Sequence, residues 1–175
     1  MNNEKAMQIF DCMAAVLKEN GFRAEAVQSD DPAHPTLLRI EHPRTGKIMQ
    51  DILIEMCFIP MPMPGEDMGL LQYYATLFTG LPEENAREVK RCCEHCNDYC
   101  ALGSFGYFTP AHQLYLKHNT LVNTGEELEK VITFMADNLS LVLASITRFI
   151  DAFATVANGV MSVDMAIEQE LLPSM

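Results

Sequence analysis

Residues 102–157 read LGSFGYFTPAHQLYLKHNTLVNTGEELEKVITFMADNLSLVLASITRFIDAFATVA. Two strand-like runs open the stretch, Ser104 to Thr109 and Gln113 to Leu121, and an apolar run from about Glu126 to Ala157 closes it. Leu128, Ile132, Met135, Leu139, Val142, Ile146, Phe149, Phe153 and Val156 recur in alternating steps of four and three. That spacing puts them on one face of a helix, and Leu143 and Ile150 widen the stripe. Thr124 and Glu127, three apart ahead of an apolar run, carry the pattern of a capping box. A helix of this length reaches about 50 Å at ~1.5 Å per residue, more than one small domain needs to cover itself. The stretch therefore predicts a strand pair followed by one long, buried helix.

Upstream, Ala6, Phe10, Met13, Ala14 and Leu17 predict a first helix over Asn3–Asn20, stopped by Gly21. Phe22 to Ser29 has the character of a short strand, and Asp30 to Pro35 of a turn. Thr36–His42 and Ile48–Ile59 read as strands joined by a hairpin turn over Pro43–Lys47. In the second of these, Ile52, Ile54, Met56 and Phe58 face one way, and Asp51, Glu55 and Cys57 the other. Three prolines in five positions make the segment from Pro60 to Gly69 a loop. Leu70–Thr79 is apolar on both faces, as a central strand would be. Pro82 starts a helix running to about Cys100, and Ser162–Leu172 forms a short last one. The predicted fold is α+β: an antiparallel sheet of about five strands packed against helices, in the order α-β-β-β-α-β-β-α with a helical tail. One domain is expected over residues 1–158 and the tail over 159–175.

This order of elements resembles the fold of type III secretion chaperones and of the related YbjN-like proteins. The local residues that carry the likeness are Leu81-Pro82-Glu83-Glu84 leading into a helix that ends Cys96-Asn97-Asp98-Tyr99, then Gly-Ser-Phe-Gly-Tyr-Phe, a turn, Gln113-Leu114-Tyr115-Leu116-Lys117 and the long helix. The likeness spans roughly Met7 to Ala157. The turn Pro110-Ala111-His112 departs from the Asp/Gly turn expected there, and the tail beyond Gly159 exceeds the basic unit. The resemblance implies an acidic, dimeric, non-enzymatic module that uses no cofactor and holds or regulates a protein partner.

Composition narrows the function classes independently. A hydrophobic share of 49% is too high for a disordered chain. A formal charge of −12 argues against nucleic acid, which needs clustered Lys and Arg, and against docking on anionic membranes. Residues 1–10, MNNEKAMQIF, lack the basic and apolar regions of a signal peptide. Leu139–Ile150 is too short to span a bilayer and carries Arg148. The expected location is the cytoplasm, with the six cysteines as thiols.

One cluster has the look of chemistry: Cys92-Cys93-Glu94-His95-Cys96-Asn97-Asp98-Tyr99-Cys100. Cys93, His95, Cys96 and Cys100 are the candidate metal ligands, and a thiol- or zinc-dependent enzyme or sensor centred on them is the alternative function. Against it, Ala86, Val89, Cys93, Cys96 and Cys100 also form a helical stripe, and free cysteine packs as a small hydrophobe. A CxxC inside a helix is not the strand-to-helix placement of a redox motif. No catalytic or cofactor-binding motif is present: GxSxG, GxGxxG and the phosphate-binding GxxxxGK[ST] are all missing. His118, on a strand, is expected to face solvent. Phe134 and Leu141 fall well off the main stripe of the long helix. With Ile150 and Phe153 they make up the expected homodimer or partner surface.

Overall fold

The computed structural model describes residues 3–28 and 34–174. Most of the turn expected over Asp30 to Pro35, and the end of the strand expected at Ser29, lie outside the described residues. The elements are α1 (Asn3–Glu19), β1 (Arg23–Val27), β2 (Leu37–Thr45), β3 (Gln50–Phe58), β4 (Met68–Phe78), α2 (Ala86–Asp98), β5 (Ser104–Phe108), β6 (Gln113–Asn123), α3 (Leu128–Ala157) and α4 (Val163–Glu168). The fold is α+β, with one antiparallel sheet of six strands in the order β1-β2-β3-β4-β6-β5 and helices packed on it. The strand beyond the expected five is short β1.

The chain forms two compact units that interleave along the sequence. One comprises Met1–His42, Leu53–Tyr74 and His118–Ser140. In it, α1 buries Ala6, Ile9, Phe10, Met13, Ala14 and Leu17, and Phe10 stacks on Phe58 at 5.5 Å. The α1 end is a Schellman turn: Gly21 N–H donates to Lys18 O and Phe22 N–H to Leu17 O, both at 3.0 Å. Gly21 takes the left-handed conformation (φ +85°) that this turn requires. β1 pairs antiparallel with β2, Arg23 opposite Glu41 and Val27 opposite Leu37. The alternation expected for β3 is present: Ile52, Ile54, Met56 and Phe58 are buried, and Asp51 and Leu53 exposed. Buried Tyr73 donates to Met135 O at 3.0 Å, which anchors the first half of α3.

The other unit comprises Pro43–Ile52, Ala75–Lys117 and Leu141–Met175. β2 runs past Pro43 to Thr45, so the hairpin turn lies at residues 46–49. Gly46 has φ +70°, and a Cβ there would sit 2.5 Å from Ile150 Cγ2; the turn needs glycine for both conformation and room. β5 pairs antiparallel with β6, Ser104 opposite Lys117 and Phe108 opposite Gln113. Between them, Thr109–Ala111 form a 3-10 turn closed by His112 in the left-handed region (φ 46°), a conformation histidine tolerates better than most residues. Glu83–Asn85 form a separate 3-10 turn, so α2 starts later than Pro82, and it ends at Asp98 ahead of Gly103. Asn97 ties α2 to β5 twice, donating to Phe105 O at 3.0 Å and accepting from Phe105 N–H at 2.7 Å. Phe105 then packs on Phe149 and Phe153 at 5.8 and 4.9 Å.

α3 is the predicted long helix, with a corrected start. Thr124 does not cap it: its backbone N–H and its hydroxyl both donate to Asp67 O, at 2.7 and 2.8 Å. The hydroxyl is spent on the loop before β4, and the helix begins four residues later. Leu128, the first residue of the expected stripe, is consequently exposed, whereas Ile132, Met135, Leu139, Val142, Ile146, Phe149, Phe153 and Val156 are buried. Taken whole, α3 is long and apolar enough to cross a bilayer, unlike the shorter stretch 139–150 weighed from sequence. Over half of its most apolar window is buried within the protein, as in a core helix.

Candidate interaction surface

The cysteine helix presents a packed face. Val89, Cys92, Cys93 and Cys96 are buried on α2, and Cys100 is half-buried with its thiol donating to Leu102 O at 3.1 Å. The Cys92 and Cys96 sulfurs lie 4.0 Å apart, one helical turn from each other. His95 turns aside, its Nε2–H donating to Pro173 O at 2.8 Å. Cys93, His95, Cys96 and Cys100 are thus not gathered around a common point. Among the described residues, no group of three or more His, Cys, Asp or Glu side chains is placed to hold a metal ion. Burial pushes the Cys93 thiol well above its ordinary range. The neighbouring Cys92 sulfur and burial together do the same at Cys96. A thiol held protonated is a poor nucleophile and a poor ligand.

The tail docks on the same helix. Ser162 caps α4 by accepting from Met165 N–H at 3.2 Å. Arg91 pairs with Asp164 at 2.9 Å, and Glu88 accepts from Val163 N–H at 3.0 Å. That backbone bond, with the Arg91 guanidinium, draws the Glu88 carboxyl below the usual range. Leu141, half exposed, is left uncovered by the tail.

An apolar groove lies in the first unit. Its volume is about 310 Å³, and it is lined by the apolar Met68, Leu121, Val122, Val131 and Phe134 and by the polar Asn123, Glu126 and Lys130. Leu121 is 54% exposed and Phe134 42%, and Leu128 nearby in sequence is 38%. Strand alternation explains Leu121: Val122 turns into the core while Asn119, Leu121 and Asn123 turn out. His118 follows the inward set, contrary to expectation. It is half-buried, bonded to Asn138 at 3.2 Å and packed on Tyr73 at 5.7 Å.

Along the edge of β6 beside this groove, pairing with β5 stops short. β5 pairs only with residues 113–117 of the strand. β4 flanks β6 on its other side. Among the described residues, no strand covers His118–Asn123 on the β5 side. The segment reads HNTLVN and carries neither proline nor a formal charge with histidine neutral.

Of the four surface residues expected from sequence, Phe134 and Leu141 are exposed, while Ile150 and Phe153 are 0% exposed. The last turns of α3 bury almost their whole circumference, Ala152, Phe153, Ala154, Val156 and Ala157 included. Ile150 and Phe153 are core, not surface. The groove residues Met68 and Leu121 were not among those expected. The signal for Leu121 was present in the length mismatch between the two last strands, which leaves the end of the longer one, among the described residues, without a paired strand on the β5 side.

No family model matches the chain, and no curated protein matches it significantly.

Proposed function

We propose that the chain is a non-enzymatic protein-binding module that works in the cytoplasm and forms a homodimer, as the likeness to YbjN-like proteins and type III secretion chaperones implies. The observation that carries this reading is the groove at Leu121 and Phe134: large apolar side chains left in water on a strongly acidic chain. Clustered exposed apolar surface of this kind marks association sites. The lining also supplies one carboxylate, Glu126, and one ammonium, Lys130, polar groups of the kind that interfaces carry beside their apolar residues. The raised thiols of α2 lend no support to the alternative of a thiol- or zinc-dependent enzyme or sensor.

The test is affinity capture from native cytosol with wild type and Phe134→Lys side by side. A protein retained by wild type and lost by Phe134→Lys supports the reading. Identical captures by the two would remove the groove as the binding site.

A further inference from the structure

The open edge of β6 points to a particular occupant. We propose that Asn119–Asn123 pairs antiparallel with the same segment of a second copy, about a two-fold axis through Leu121, so that the sheets of two chains run on into one another. The proposal rests on reading this face as a protein-binding surface and names its partner.

An uncovered strand edge presents unpaired N–H and C=O groups and recruits another strand. Monomeric proteins blunt such edges with lysine, proline, a bulge or a covering segment. Along His118–Asn123 the sequence supplies none of the first two, and the regular in–out alternation shows no bulge. The five residues Asn119–Asn123 at ~3.4 Å each give a ladder of about 17 Å.

The symmetry of the segment favours a second copy over a foreign strand. In an antiparallel pair, directly opposed residues share a face. An axis through Leu121 sets Leu121 against Leu121 and Asn119 against Asn123, all of them outward residues. It sets Thr120 against Val122, both on the inward side. Inward residues therefore meet inward ones along the whole ladder, so each core continues into the next. Charge agrees with this. Two chains at −12 repel, yet the ladder opposes no pair of like charges, and charges beyond ~8 Å are screened at physiological salt. Area agrees as well. A standard interface takes roughly 800 Å² from each partner, less than a tenth of the chain's 9623 Å². The strand edge with the exposed Leu121 and Phe134 offers a contiguous place for it.

The experiment is hydrogen exchange resolved over residues 118–123, measured across a hundredfold range of concentration with wild type, Leu121→Lys and Leu141→Lys. Leu121 is exposed, so its replacement leaves the core untouched; Leu141 is a comparably exposed apolar residue that belongs to the other unit. The expected result is that the alternate amides facing away from β4 become at least tenfold more protected as wild type and Leu141→Lys are concentrated. Leu121→Lys should show no such change. Wild-type exchange that is independent of concentration would overturn the proposal without reference to any variant. Protection that persists in Leu121→Lys, or that is lost only in Leu141→Lys, would also overturn it. If self-pairing fails while Phe134→Lys still loses a captured cytosolic protein, the binding module stands and only its second-copy occupant falls.

Discussion

At the scale of single residues, the periodicity of the long helix carried most of the information. Ile132 is 7% exposed on the buried stripe. Ile132→Ala should destabilise the protein by roughly 2–5 kcal/mol, the range for emptying a core position, read as a lowered urea midpoint at unchanged slope. Ile54 and Leu139, which the alternation and the helical stripe place on apolar faces, are buried too. The α2 thiols make a second prediction. Their folded pKa values lie above the ordinary thiol value of 9.0, so the folded chain keeps protons that the unfolded chain releases. The stability they confer is complete below about pH 9 and is lost as pH rises beyond it. Unfolding free energy should thus fall steadily above pH 9, and Cys93→Ala should flatten that decline. What the pattern could not reveal was the use of a hydroxyl. Thr124 satisfied the spacing of a capping box, but a through-space acceptor, Asp67 O, took its hydrogen bond instead. Spacing along the chain does not encode a competitor from a distant loop.

At the scale of elements, type and order were legible and ends were not. Each helix and strand anticipated from sequence is present, but β2 outruns Pro43 and α2 begins after a 3-10 turn. Proline tolerates an extended strand where its missing N–H is not needed, so composition marked the turn too early. The junction of α2 with β5 depends on one side chain. Asn97→Ala would leave the Phe105 N–H and C=O without their half-buried partner. The expected loss is about 1–3 kcal/mol, with Asn97→Asp, which keeps the acceptor but not the donor, recovering part of it. Chemical denaturation of the three proteins checks this, and equal stability of Asn97→Ala and wild type would exclude a joining role. The surface of α3 was the least legible feature. Its apolar residues are buried on one face in the first unit and nearly all round near its C-terminal end. A helical wheel treats both halves alike, so Ile150 and Phe153 were grouped with Phe134 although their surroundings differ.

At the scale of the whole molecule, the sheet and its helices describe an α+β protein in which, among the described residues, no strand pairs on the β5 side with the end of β6 next to an apolar groove. The cysteine cluster, the most chemical-looking stretch of the sequence, instead packs against its own fold. Residue types made it conspicuous, while the surface at Leu121 arises only from which strand ends beside which. That is a property of topology, and it became visible once β5 was seen to cover half of β6. The proposed assembly also predicts how mass responds to dilution. The most direct measurement is sedimentation equilibrium of the wild-type chain across a hundredfold range centred on micromolar concentration. The account predicts a species of about twice 19.6 kDa that dissociates on dilution, by an amount set by an interface of ordinary size, and that is absent at every concentration in Leu121→Lys. A single species of 19.6 kDa throughout, the same for wild type and variant, would contradict it.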